Sequence, residues 1–151
     1  MLNKRGSRAH TSGAVRPASH ALCIVMVCAD LSEADQVSRQ LSELNTGCLV
    51  TYRRVEDLTL NAPTGKVALV ILSAQDDPVV MARTLRWLRH RWPRCSVTVV
   101  GDAGSTEQEL VAREGGAYFL ARPVVPEQWA ALLGHVLGKG LEITQEDRSD
   151  V

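Results

Sequence analysis

Val67-Ala68-Leu69-Val70-Ile71-Leu72 is six apolar residues in succession, and it stops at Ser73. A dense apolar run of this kind reads as a strand covered on both faces, the best candidate for the centre of a parallel sheet. On its N-terminal side, Ala21 to Ala29 is a second continuous apolar run with a β-branched centre. Leu31, Ala34, Val37, Leu41 and Leu44 then recur at steps of three and four, the stripe of an amphipathic helix. Ser32 and Asp35 resemble a capping pair at its start. Cys48 to Val55 reads as a weaker strand. Pro63 and Gly65 leave residues 57–65 room for only a short helix.

On the C-terminal side, Asp76, Asp77 and Pro78 open a helix whose Met81, Leu85, Leu88 and Trp92 share one face, and Pro93 stops it. Ser96 to Val100 is a fourth strand, followed by Gly101-Asp102-Ala103-Gly104 as a loop. Thr106 and Glu109 fit a capping box for a short helix ending at Gly115-Gly116. Ala117 to Ala121 is a fifth strand, and Trp129, Leu132, Leu133, Val136 and Leu137 stripe a last helix. Strands alternating with helices build a parallel sheet with helices on both faces. Right-handed crossovers then favour the flavodoxin-like (βα)5 doubly wound fold, order 2-1-3-4-5. Ligands of such folds bind at the carboxyl ends of the strands, so function is sought there.

The ends of the chain differ from this middle. Residues 1–19 carry Lys4, Arg5, Arg8 and Arg16 without an acid, a composition expected of a flexible basic arm. Residues 20–139 form the domain, and residues 140–151 read as an acidic, frayed tail. In sum, 17 basic residues balance 17 acidic ones, which argues against bulk binding to nucleic acid. Ala21 to Ala29 is about half the length a membrane span needs. No apolar stretch precedes it, so no secretory leader and a cytoplasmic setting are expected. Cys23, Cys28, Cys48 and Cys95 form no C-x-x-C pair and read as small buried hydrophobes in a reducing compartment. Cys23 and Cys28, five apart in one run, point to opposite faces of their strand.

Ala112-Arg113-Glu114-Gly115-Gly116-Ala117-Tyr118-Phe119-Leu120-Ala121-Arg122-Pro123 resembles the receiver (CheY-like) domain of two-component response regulators. There a helix ending in Gly-Ala leads into a strand with an aromatic and then Lys-Pro. The order and spacing of elements agree from about His20 to Gly138. The resemblance implies a phosphoryl-accepting Asp after the third strand and two acids after the first that hold Mg²⁺. It also implies a Ser or Thr after the fourth strand and a Lys after the fifth. Oxygen ligands suit the hard cation, while cation, hydroxyl and ammonium neutralise the phosphoryl oxygens.

This sequence departs from that set at every position. Ser73 falls where the acceptor Asp belongs, and a serine hydroxyl is a poor nucleophile without a base. Cys28 and Ala29 take the acid-pair positions, with Asp30 following. Gly101 takes the Ser/Thr position, and Arg122 replaces Lys. The expectation is a degenerate phosphorylation pocket of Cys28, Ala29, Asp30, Ser73, Gly101 and Arg122, in a pseudo-receiver that is not an enzyme and needs no cofactor. An ion pair from Arg122 to Asp102 or Asp30 is expected, and the family's cis peptide before proline is implied at Arg122-Pro123. The alternative is an atypical phosphoacceptor using Asp30 and Asp76 or Asp77 with Mg²⁺; otherwise these two acids simply start the helix.

A receiver-like fold without chemistry acts through its surfaces. Arg83, Arg86 and His90 project from the third helix with Trp87 beside them, the composition of a binding hot spot; the competing reading is a solvated helix with Trp87 on an Arg stem. The resemblance adds Phe119 as a candidate partner-surface residue, against the plainer reading of a core aromatic. The expected function is a phosphorylation-independent signalling module in a two-component-type system. It contacts a protein partner or output domain, or a second copy of itself, rather than a membrane or nucleic acid.

Overall fold

The computed structural model describes residues 22–45 and 47–149; the basic stretch 1–19 lies outside them. The elements alternate strictly: β1 (Cys23–Val27), α1 (Leu31–Leu44), β2 (Cys48–Tyr52), α2 (Val55–Leu60), β3 (Val67–Ser73), α3 (Pro78–Arg91), β4 (Ser96–Asp102), α4 (Thr106–Glu114), β5 (Tyr118–Arg122) and α5 (Pro126–Ser149). The five strands form one parallel sheet in the order β2-β1-β3-β4-β5. This is the doubly wound, flavodoxin-like fold of receiver domains that the sequence predicts.

Strand alternation divides the core between the two faces. Ile24, Met26, Leu69 and Ile71 pack with Val37, Leu41, Trp129 and Leu133 beneath α1 and α5. Cys23, Val25, Val27, Val70 and Leu72 pack on the other face with Leu58, Met81, Leu85, Leu88 and Ala112. Cys23 and Cys28 fall in opposite clusters, as their odd spacing requires. Trp129 is completely buried, and its indole Nε1 donates to Gln36 Oε1 at 2.8 Å, tying α5 to α1.

Several boundaries move. The α1 stripe is narrower than its periodicity suggests, because Leu31 and Leu44 are exposed and only Ala34, Val37 and Leu41 reach the core. Asp30, not Ser32, caps α1, and Ser105, not Thr106, caps α4, its Oγ accepting from Gln108 N. β4 runs through Gly101 and Asp102, which the sequence assigns to a loop. α5 continues as helix to Ser149, into the stretch that the sequence reads as a frayed tail from residue 140. Cys48 is exposed rather than buried, and Cys95 is half-buried. Gly116 has φ +82° and lies under the Arg89 guanidinium, which donates to Gly115 O at 3.0 Å; a side chain there would collide with it. Among the described residues, no helix is long and apolar enough to cross a membrane.

Candidate functional site at the carboxyl end of the sheet

The register sets β3 and β1 level, with Leu72 beside Val27, and brings Ser73 beside Val100 and Arg122 beside Asp102. The strand ends and the loop after β1 thereby gather Cys28, Asp30, Ser73, Gly101 and Arg122 at one edge. The first turn of α1 adds Glu33.

Arg122 organises this edge. Its Nε donates to Glu33 Oε2 at 2.9 Å and its Nη2 to Glu33 Oε1 at 3.3 Å, a bidentate pair. Nη2 also donates to Ser73 Oγ at 3.2 Å. Glu33 is only 8% exposed, so its ionised carboxylate, taken out of water, depends on this partner. A planar guanidinium suits the task because its fork matches both carboxylate oxygens at once. Of the two expected partners, Asp102 forms a second, longer ion pair, and Glu33 holds the shorter, bidentate one. Asp102 lies 3.9 Å from Arg122 Nη1 and is largely exposed, while Asp30 makes no ion pair with it. Sequence reasoning passes over Glu33. Its one signal is spacing, since it precedes buried Val37 by four and so lies on the inward side of α1. The Arg122-Pro123 peptide is cis.

The two residues in the acid-pair positions offer no hard ligand. Cys28 is buried, and burial, with the charges of Glu33 and Asp30, pushes its thiol up to about 11, so it stays protonated at neutral pH. Ala29 has only a methyl group. Asp30 is turned onto its own helix: Oδ1 accepts from Ser32 Oγ at 2.7 Å and from Ser32 N at 2.9 Å, and these bonds hold its carboxyl below the ordinary value. Asp77 plays the same part at α3, accepting from Val79 N at 2.9 Å, with exposed Asp76 just before it. A resident Mg²⁺ of the kind the receiver resemblance implies does not fit this set, because it needs free oxygen ligands. Here the carboxylates nearest the pocket are engaged by Arg122 and Ser32. Among the described residues, no three His, Cys, Asp or Glu side chains come together as a metal-holding group.

Gly101 is a packing requirement. A Cβ there would lie 2.5 Å from Gln108 Oε1 and 2.7 Å from Phe119 Cε1. The Gln108 oxygen also accepts from Asp102 N at 2.9 Å, so it is held in place. The room that a Ser or Thr side chain would need is therefore occupied by Gln108 and the inward ring of Phe119. Phe119 is half-buried and packs against the α3/α4 side of the core, while its neighbour Tyr118 is exposed, at 52%.

On α3, Arg83, Arg86 and His90 are exposed as expected, and the two arginines line a shallow hollow with Pro78, Val79 and Ala82. Trp87 differs from expectation. It is half-buried and packs edge-on against Trp92, ring centres 5.8 Å apart, and the arginine stacked on a Trp is Arg91 over Trp92 at 5.0 Å.

No family model matches the chain, and no curated protein does. Solved structures match over most of its length. The BeF3-activated receiver domain of DrrB, from Thermotoga maritima, superposes with a TM-score of 0.66 at 22% identity, over 78% of this chain and 98% of that one. The signal receiver domain of a putative Luxo repressor protein from Vibrio parahaemolyticus gives 0.68 at 17% identity, over 87% and 98%. A CheY-like protein (TadZ) from Pseudomonas aeruginosa PAO1 gives 0.63 at 18%, over 76% and 98%. What these likenesses establish is the receiver fold.

Proposed function

We propose that this protein is a receiver-like module of two-component-type signalling that works through protein contacts, without accepting a phosphoryl group. The observation that carries the reading is the Arg122 bridge between Glu33 and Ser73. The basic group that would neutralise an incoming phosphoryl group is already neutralised by a buried carboxylate. The acceptor position holds a hydroxyl, and the side chain that meets it, Arg122, is a hydrogen-bond donor and not a base. With no chemistry of its own, the module is not an enzyme. It acts in the cytoplasm, where its partner is a protein or an output domain. The outer face of α3, where Arg83 and Arg86 flank exposed Val79, suits a partner that presents carboxylates beside apolar side chains.

Amide NMR spectra of the full chain, titrated with Mg²⁺ and then with beryllofluoride, test the pocket. The expected result is no clustered shift at Asp30, Ser73 or Arg122. Shifts clustered there and lost on Asp30→Asn or Asp76→Asn would overturn the reading in favour of an atypical phosphoacceptor.

A further inference from the structure

The opposite end of the sheet holds two thiols that the site at the strand ends does not use. Cys23 opens β1 and Cys48 opens β2, and the register sets them directly side by side on adjacent parallel strands. Neighbouring strands run about 4.8 Å apart, inside the span of Cα separations that disulfides bridge. Paired residues of parallel strands also send their side chains to the same face, so the two thiols are neighbours. Their environments differ. Cys23 is 8% exposed, whereas Cys48, on an edge strand, is open to solvent. Gly47, with φ +81°, precedes Cys48, and the β1–β3 register shifts between Cys23 and Ile24.

We propose that Cys23 and Cys48 are a dithiol modification site, closed to an intramolecular disulfide by a small-molecule disulfide and reopened by a dithiol reductant. Cys48 is the entry point because it is reachable and because its neighbour Cys23 favours the Cys48 thiolate. Pairing with Cys23 lowers the Cys48 thiol to about 7 and raises the Cys23 thiol, whose burial acts in the same direction. The Cys48 thiolate attacks one sulfur of the oxidant, forming a mixed disulfide and expelling the other half as a thiolate. The Cys23 sulfur then attacks Cys48, forming the S–S bond across the strands and expelling the second half, which takes up the Cys23 proton. Two protein thiols are thereby oxidised by two electrons, and the oxidant is reduced to two thiols. The product staples edge strand β2 to β1. Cys28, buried in the other core cluster, and Cys95, beyond α3, are not register partners of either residue.

The test uses the full chain in oxidised glutathione, with free thiols counted by alkylation and intact mass under native and denaturing conditions. The expected result is a monomer that has lost two hydrogens, with the free-thiol count falling from four to two. Proteolytic mapping should join the peptides of Cys23 and Cys48, and dithiothreitol should restore all four thiols. Cys48→Ser, an exposed substitution, should abolish closure, and Cys23→Ala should trap a glutathione adduct on Cys48. Cys95→Ala should change nothing. A persistent adduct on Cys48 in the wild-type chain would overturn the proposal, as would a disulfide-linked dimer or closure surviving in Cys48→Ser.

Discussion

The two crossovers at the centre of the sheet begin alike and end differently. β1 and β3 each leave the sheet through a short loop whose last residue is an aspartate. Asp30 and Asp77 each cap the following helix, and each accepts from the backbone N–H two residues on at 2.9 Å. In both loops, then, the carboxylate that immediately precedes the helix serves its start. The helices then diverge. α1 turns Glu33 inward to Arg122, whereas α3 contributes no side chain to the pocket and lines its outer face with Arg83, Arg86 and His90. An acid near the end of a strand is thus a poor guide to a site until its backbone partners are known.

The largest effect expected from breaking this contrast lies at the inward acid. Arg122→Met leaves the Glu33 carboxylate buried without its partner. Because Arg122 is one-third exposed, solvent screens part of the loss, and we expect a destabilisation of about 2 kcal/mol, below the range for a fully buried pair. Glu33→Gln strands no buried charge and should cost less. The double variant Glu33→Leu/Arg122→Met should recover much of the stability lost in Arg122→Met, since an apolar pair needs no compensation. Urea denaturation of the wild type, Glu33→Leu, Arg122→Met and the double variant closes the cycle; simple additivity would show that the two residues do not act as a unit.

Next in size is Gly101. Adding a methyl group forces Gln108 or Phe119 aside, and overpacking of this kind costs about 1–3 kcal/mol. If Phe119 is what fills the space, Gly101→Ala combined with Phe119→Leu should be more stable than Gly101→Ala alone. Thermal unfolding of Gly101→Ala, Phe119→Leu and the double variant decides it. No rescue would leave the Gln108 side chain, bonded to Asp102 N, as the obstacle.

The fold was legible because apolar runs and stripes report burial directly. Val67 to Leu72 and the Met81, Leu85, Leu88, Trp92 stripe all lie where their spacing places them. The site was legible only as a set of substitutions. Ser73, Gly101 and Arg122 could be placed by position along strands, but their partners depend on side chains from other elements. Glu33 is 89 residues from Arg122, and an acid in the first turn of a helix is ordinarily explained by the dipole alone. The packing of Phe119 was hidden for a similar reason. Its half-buried ring fills the room left by the missing side chain at Gly101 on the neighbouring strand, which no periodicity within β5 reveals.

The smallest effect separates the two caps. Replacing Asp77 by Ala should cost about 1 kcal/mol at neutral pH, the usual loss for an N-cap. Asp30 carries a further signature in acid. Its carboxyl is held below the ordinary value of 3.8 by the Ser32 bonds, so its contribution is present above that value and is lost as pH falls through the lowered one. Asn caps about as well as Asp, so Asp30→Asn should change little near neutrality. As pH falls below 3.8 toward the lowered value, the variant should lose stability less steeply than the wild type. Parallel acid limbs for the two proteins would mean that the Asp30 carboxylate is not held by Ser32 in solution. Asp30 would then be free to turn toward the pocket, and the contrast between the two crossovers would have to be drawn again.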